Sequence, residues 1–470
     1  MATYVPLSPC GTPETLAEEQ NQTRCTMPVK SRVTLAATLA GVALLSTASI
    51  LTAQINSEER GSDNIEVVSH LPLGAPGSVS DIEVEQDMDR PFAYVGREVL
   101  GQAEGGDRGI DVIDIADPAD PKVIHRWRIE DGDLHVGAGG KDIKAFSWEG
   151  RHYVILSVQF RQGGPDYDLG AIIFDVTGLP DPSTFKEVAR IQGPEELGGF
   201  HNIFTYRHSN GRPLLFATTT TPAAHVYDLG YVLAGRSDEA LVARVPVPGE
   251  NAQSYHDFYT GYHADSQQDR FYGGGTGGYY VFNITDLENP ELLVSLTGIS
   301  GIEWGHTFTP SPDGRYVIAE AEYQYAPLRM FDLKPALDGE VSNIRSPISA
   351  WTANWEQLVH NHEVRWPFVF VSGYLDGLQV FSMQDPKRPR TIAHYDTYLE
   401  GEDDGVMSGA WGTDVRNADG LIVVSDMVTG FWAFRMEGFN GWNGLDWGQP
   451  NISSVQDWEN GPEYQARTRN

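Results

Sequence analysis

One β-meander recurs along this chain, and the recurrence leaves few folds open. Its clearest copy is His360 to Tyr398. Val364–Arg365 ends a first strand, Trp366-Pro367 breaks it, and Phe368–Ser372 is a second. Asp376-Gly377 turns the chain into Leu378–Ser382, and Asp385-Pro386 turns it again into Thr391–Tyr395. Apolar, β-branched runs of about five residues between Gly, Pro and Asp signals are the pattern of hairpin-linked strands. The same order returns in Ile110–Ile129 and Tyr279–Leu296: an apolar strand ending in an Asp or Asn, a D-x-x-x-P turn, then a second apolar strand. Weaker copies are Ala171–Val188, Ala224–Val245 and Arg329–Asp332.

The strands that open each unit correspond as well. They carry Ser80-Asp81, Lys141-Asp142, His201-Asn202, His256-Asp257, His306-Thr307, His360-Asn361 and Trp411-Gly412, the second members lying 61, 60, 55, 50, 54 and 51 residues apart. A four-stranded meander cannot bury both faces alone, so seven such units predict an all-β, seven-bladed β-propeller. A β-sandwich array is the alternative. The last unit, Trp411–Met436, supplies only three strands, and Ile65–Leu71 resembles the missing fourth. An N-terminal strand closing the last blade would remove the open edges of the ring.

Beyond the repeats the chain divides simply. Residues 33–53 hold no charge and follow Lys30 and Arg32, so 27–53 read as a signal peptide ending at Ala48 or Ala53, or as an uncleaved membrane anchor. Met27 stands where such a segment would start, and residues 1–26 are expected to be a disordered extension. Residues 54–63 read as a linker, 64–436 as the propeller, and 437–470, with Trp442, Trp447 and Trp458, as a tail that packs partly on it. Both cysteines, Cys10 and Cys25, precede the apolar segment, so thiol chemistry is excluded from the blades. With 33 basic against 65 acidic residues the net charge is −32, which argues against nucleic acid and anionic membrane as partners. The expected partner is a protein or carbohydrate at the cell surface, with membrane contact only through residues 33–53 if they stay uncleaved.

At this point the residues suggest a family. Lys141-Asp142-Ile143-Lys144, Phe200-His201-Asn202-Ile203, Tyr255-His256-Asp257, Gly305-His306, His360-Asn361, Asp376-Gly377-Leu378-Gln379-Val380-Phe381 and Gly409-Ala410-Trp411 resemble the LVIVD repeat. The propeller as a whole is similar to the choice-of-anchor B family of exported bacterial proteins. The likeness covers about 65–436 and is densest from His360 onward. It implies the propeller fold and export, and assigns no activity; the chain departs from it in lacking Cys in its blades and a recognisable C-terminal anchor.

In a propeller the first strand of each blade lines the central channel. Residues at one register therefore form a ring, here Ser80, Lys141, His201, His256, His306, His360 and Trp411. Below it follow Asp81, Asp142, Asn202, Asp257, Thr307, Asn361 and Gly412. Four consecutive blades place His at the same position, although the chain has only 13 His. Neutral imidazoles from several strands suit a divalent transition metal, with Asp257, Asp142 or Glu363 as outer acceptors for the second ring nitrogens. Against this stands an architectural reading, in which His-Asn and His-Asp pairs bind backbone of the neighbouring blade. A third reading is lyase-like, with His201, His256 and Tyr255 as base and acid and Lys141 or Arg207 neutralising a uronate. His135 could reach the same opening from a Gly-rich loop; His70, His125 and His394 fall on outer strands without chemistry. Calcium is a further candidate at the Asp turns and at Glu400–Asp404. The reading that follows is an exported, LVIVD-type binding or scaffold propeller, with a metal-dependent enzyme, oxygenase-like or polysaccharide lyase-like, as the alternative.

Overall fold

The period-two apolar runs form the strands expected of them. A computed structural model describes residues 60–98, 107–130, 139–160, 170–193, 198–398, 407–452 and 456–468. The expected extension, the export segment 27–53, His135 and the acidic run Glu400–Asp404 lie outside the described residues.

Seven antiparallel sheets follow one another in chain order. Their innermost strands are Val79–Val84, Gly139–Trp148, Ile203–Arg207, Tyr255–His263, Phe308–Pro310, Asn361–Arg365 and Ala410–Arg416. Each innermost strand contacts the next, and Val79–Val84 contacts Ala410–Arg416, so the ring is closed. The closing element is Ile65–Leu71, which pairs antiparallel with Gly430–Met436 from Ile65↔Met436 to Leu71↔Phe431. Blade seven therefore takes three strands from the end of the propeller and one from its beginning. Arg60 and Ser62, at the described end of the segment read as a linker, lie along blade six: Asp396 N donates to Arg60 O at 2.8 Å and Ser62 N to His394 O at 3.0 Å.

The core sits between blades rather than in one centre. Tyr94, Ile110 and Val112 of blade one pack with Ile143, Val154 and Leu156 of blade two, and equivalent clusters recur around the ring. Because both faces of each sheet meet neighbouring blades, the middle strands, such as Phe92–Arg97 and Gly109–Asp114, are almost wholly buried, while innermost strands such as Gly139–Trp148 and outer strands such as Lys122–Arg128 are partly exposed. The aspartates at the D-x-x-x-P turns accept backbone N–H groups two residues on, as Asp114 does from Ala116 at 2.9 Å and Asp385 from Lys387 at 3.1 Å, which is an Asx turn.

After Met436 the chain crosses the ends of the blades away from the histidines. Trp442 Nε1 donates to Trp366 O at 2.8 Å, and Trp458 meets Phe146 edge-on at 5.7 Å. The side-chain amide of Gln456 pairs with the end of the blade-three inner strand, donating to Thr205 O at 2.6 Å and accepting from Arg207 N.

Candidate metal centre

The histidine ring forms because the inner strands begin at the same level and several begin with a bulge. Register shifts fall between Gly140 and Ile143, between Tyr255 and Asp257, and between Ala410 and Gly412. They leave Lys141, His256 and Trp411 without a cross-strand partner. A bulge re-aims its extra residue and bends the strand, which suits side chains meant for the channel. Glycine supplies the remaining room. A Cβ on Gly274 would lie 1.8 Å from the carbonyl oxygen of His306, so only glycine lets blade five enter this close to blade four. Gly305 N then donates to Gly275 O at 2.8 Å and fixes the approach.

His201, His256, His306 and His360 run as a chain of neighbouring rings, with centroids 4.9, 4.2 and 5.3 Å apart. Three of them have Nδ1 held by an outer group. His201 Nδ1 is 3.0 Å from Gln159 Oε1, His306 Nδ1 is 3.2 Å from Glu320 Oε1, and His360 Nδ1 is 2.7 Å from the carbonyl oxygen of Trp411. Fixing Nδ1 sets the ring orientation and leaves Nε2 for the channel, the outer arrangement that metal-ligating histidines have. On the inner side His256 Nε2 is 3.1 Å from His201 Nε2, 3.9 Å from Glu322 Oε2, and His306 Nε2 is 3.8 Å from the same oxygen. Ligand atoms of His256, His306 and Glu322 all lie within 4.8 Å of one another. Tyr374 donates its hydroxyl to the other oxygen of Glu322 and so holds the carboxylate in place. His306 Nε2 is buried and has no hydrogen-bond partner among the described residues.

The electrostatics of the four rings differ. Burial, then Lys141 and His306, lower the pKa of His201 to about 3. Burial and neighbouring imidazoles, His306 foremost among them, also push His256 and His360 well below the usual range. His306 goes the other way. Burial opposes its charge, but the hydrogen bond and charge of Glu320, with Glu322 and Asp257, raise it to about 9. Glu320 is fully buried yet stays below the ordinary carboxylate value, because His306 and His362 both hydrogen-bond to it. Burial raises Glu322. Three neutral lone-pair donors, one cationic imidazole and one carboxylate thus share the channel mouth.

The second ring has structural work. Asp142 Oδ2 accepts from Ile203 N of the next blade at 2.7 Å, and Lys144 Nζ sits 2.6 Å from Asp142 Oδ1 and 3.6 Å from Asp81 Oδ2. The hydroxyl of Thr307 lies 3.0 Å from Asp257 Oδ2 and 2.9 Å from Asn361 Oδ1. Asn202 N and O both meet the hydroxyl of Thr218, at 2.8 and 3.3 Å. Asp81, Asp142, Asn202, Asp257 and Asn361 therefore tie blades and strands together, and the outer acceptors of the histidines are Glu320, Gln159 and a backbone carbonyl instead of Asp142, Asp257 or Glu363.

The cations expected for a uronate are engaged elsewhere. Lys141 pairs with Glu98, its ammonium 5.2 Å from the centre of the Trp411 ring. Arg207 ends the inner strand that His201 precedes, six residues or about 20 Å away, and stacks on Trp148. Tyr255 is buried and donates to Pro246 O at 2.7 Å. Among the described residues the mouth thus offers no unpaired cation beside His201 and His256, and the lyase-like reading loses its carboxylate clamp.

Glu320, Glu322 and Tyr374 are site residues that the sequence reading missed. The available signal was Ala319-Glu320-Ala321-Glu322, an alternation of carboxylates that continues past the end of the blade-five strand Tyr316–Ala319, which pairs with the segment after His306.

Comparison with known proteins adds the fold alone. No family model matches the sequence, and no curated protein matches it. Among solved structures, Raptor from Chaetomium thermophilum aligns over 82% of this chain at 12% identity with a TM-score of 0.54. The chain spans 30% of Raptor's length. The WD40 β-propeller domain of Doa1 aligns over 80% of this chain and 97% of its own at 12% identity, with a TM-score of 0.49. By its own strand topology the chain is a seven-bladed β-propeller, a repeat architecture that supports a binding or scaffold role in general.

Proposed function

We propose that this propeller is a metal-binding protein whose channel mouth holds a divalent transition metal on His256, His306 and Glu322, with His201 and His360 as flanking imidazoles. The observation that carries the reading is the orientation of the donors. The Nδ1 atoms of His201, His306 and His360 are anchored outward, and ligand atoms of His256, His306 and Glu322 lie within 4.8 Å of one another. Two His and one carboxylate with open positions form a donor set used for Fe(II) and Zn, and a metal there would have to displace the proton that His306 carries at Nε2. Metal–nitrogen bonds of ~2.1 Å put neighbouring ligand atoms ~3.0–3.4 Å apart, so the 3.8 and 3.9 Å contacts need to close by about 0.4–0.9 Å, and the His256–His306 pair, within 4.8 Å, has to draw together as well. His201 already stands at ligand spacing, 3.1 Å from His256 Nε2. A metal there would act as a Lewis acid toward an oxygen ligand in an open position.

The setting comes from the resemblance to LVIVD-repeat, choice-of-anchor B proteins: an exported propeller acting as a binding scaffold, with residues 27–53 as the export or anchoring segment. A metal-free binding propeller is the second reading. The hydrogen-bond spacing of His201 Nε2 and His256 Nε2 favours it, since one shared proton satisfies both nitrogens.

Elemental analysis of the full-length chain, purified without a His-containing tag and incubated with Zn, Mn and Fe(II), separates the two. Near-stoichiometric metal is expected, lost in Glu322→Gln with little change in melting temperature, because the amide keeps the shape and the Tyr374 hydrogen bond. Protein that stays metal-free would end the metal reading and leave the histidine ring as architecture.

A further inference from the structure

Beside His201 and His256 the channel mouth opens into a cleft of about 240 Å³, lined also by Gln159, Thr220, Ser254 and Trp304. Its volume holds about eight waters at ~30 Å³ each and falls below the ~300 Å³ at which drug-sized sites begin. Resting on the metal reading, we propose that this cleft takes a neutral, hydroxyl-rich ligand the size of one sugar ring. The ring lies against the indole of Trp304, and a hydroxyl occupies the open side of the metal centre.

Three observations lead to that ligand class. First, none of the lining side chains is a Lys, Arg, Asp or Glu, so apart from the metal itself an ionic ligand finds no counter-charge, and the net charge of −32 repels anions further. Second, the polar groups are of the kind that pair with hydroxyls. Gln159 uses Oε1 on His201 and leaves its amide N–H groups over, and the hydroxyls of Thr220 and Ser254 have no partner among the described residues. Each hydroxyl both donates and accepts, as a vicinal diol requires. An apolar ligand would strip water from all of them without replacing it. Third, Trp304 is half-buried at the edge, with its own carbonyl accepting from Tyr323 at 3.1 Å, which holds the backbone of this aromatic wall in place. An indole face presents a large, rigid surface to the C–H face of a pyranose while its N–H stays available.

The test uses the full chain loaded with Co(II) and titrated with methyl β-D-glucopyranoside and methyl β-D-galactopyranoside, with glucuronate as the charged comparison. A saturable heat of binding for a neutral glycoside is expected, with a change in the visible Co(II) bands and weaker binding of glucuronate. Trp304→Ala should weaken binding about tenfold, and Ser254→Ala about threefold, while both retain metal. No saturation with either glycoside, a preference for glucuronate, or binding indifferent to Trp304→Ala would overturn the assignment. Elemental analysis of the same samples keeps the two failures apart. Metal present without any glycoside response overturns the ligand alone. Metal-free protein that still binds the glycoside through Trp304 overturns the metal centre and upholds the cleft.

Discussion

Replacing Gly274 by alanine tests how the histidine ring is built. The new Cβ would lie 1.8 Å from His306 O, 2.9 Å from His306 C and 3.1 Å from Gly305 C. All three are backbone atoms, so no rotamer change relieves the overlap. Restoring even 3.0 Å requires the two strands to part by 3.0 − 1.8 = 1.2 Å. Overpacking of a tight interior costs about 1–3 kcal/mol, and a clash confined to backbone belongs at the upper end. With an unfolding entropy of ~2.1 cal/mol/K per residue, the roughly 370 described residues give about 0.8 kcal/mol/K, so ~3 kcal/mol lowers the melting temperature by about 4 °C. The site should suffer more than the fold. Parting blade five from blade four by 1.2 Å takes Glu322 Oε2 from 3.9 Å to near 5 Å from His256 Nε2, beyond the reach of one metal. Differential scanning calorimetry and metal content are the two readouts, with a modest melting shift and loss of most metal as the expected pair. A variant that melts within about 1 °C of the parent and keeps full metal would refute the argument that Gly274 sets the position of His306.

Other expectations follow from buried charge and from ring closure. Glu320 is sandwiched between His306 and His362 at 3.2 and 3.1 Å, so Glu320→Ala should cost about 3–5 kcal/mol in urea unfolding; a loss under ~1 kcal/mol would show that the two imidazoles reorganise freely. Asp419 is held at about 2 although burial works against its charge, because hydrogen bonds from Arg416 and Arg435 outweigh it. Its carboxylate therefore stabilises the fold above pH ~4 and stops doing so as pH falls through about 2; from the ordinary value of 3.8 the difference of 1.8 units amounts to roughly 2 kcal/mol. Asp419→Asn should accordingly be less stable at pH 6 and indistinguishable from the parent near pH 2, and an unchanged gap at both pH values would contradict this. Removing residues 1–71 strips the outer strand from blade seven, including the stack of His70 on Trp432 at 3.9 Å, and leaves Gly430–Met436 as an open edge. Size-exclusion chromatography with light scattering should then show self-association; a stable monomer would mean that the edge is protected by other means.

What could be read in the sequence was what repeats locally. Strand, Asx turn and strand lie within about twenty residues, so Ile110–Ile129 announces its hairpin without help from the rest of the chain. Closure by Ile65–Leu71 was legible because the last blade counts one strand short. Four histidines at one register were legible for the same reason, since register is a count. What escaped was everything set by side-chain direction across blades. Glu320 and Glu322 follow the second strand of blade five, Tyr316–Ala319, and only the packing of the blades turns Glu320 toward His306 and His362 and Glu322 toward His256 and His306. Lys141 looked available until the fold brought Glu98 to it from the preceding blade. Asp257 and Asp142 were the obvious acceptors by proximity in sequence, yet their oxygens meet Thr307 and Ile203.

The strand at Ile65–Leu71 meets a partner ending at Met436, 436 − 65 = 371 residues later. No shorter piece of the chain can finish the ring. A chain emerging in order completes blades one to six while its first strand waits unpaired, and the circle locks only when the last blade arrives. Pairing of such high sequence separation is slow to form. Once made, it joins the two ends of the propeller, so unravelling of the ring from either side must first undo the same ladder. The order in which the chain is delivered thus becomes a checkpoint: an incomplete propeller has no closed state to fall into, and a complete one has no blade edge from which to unravel.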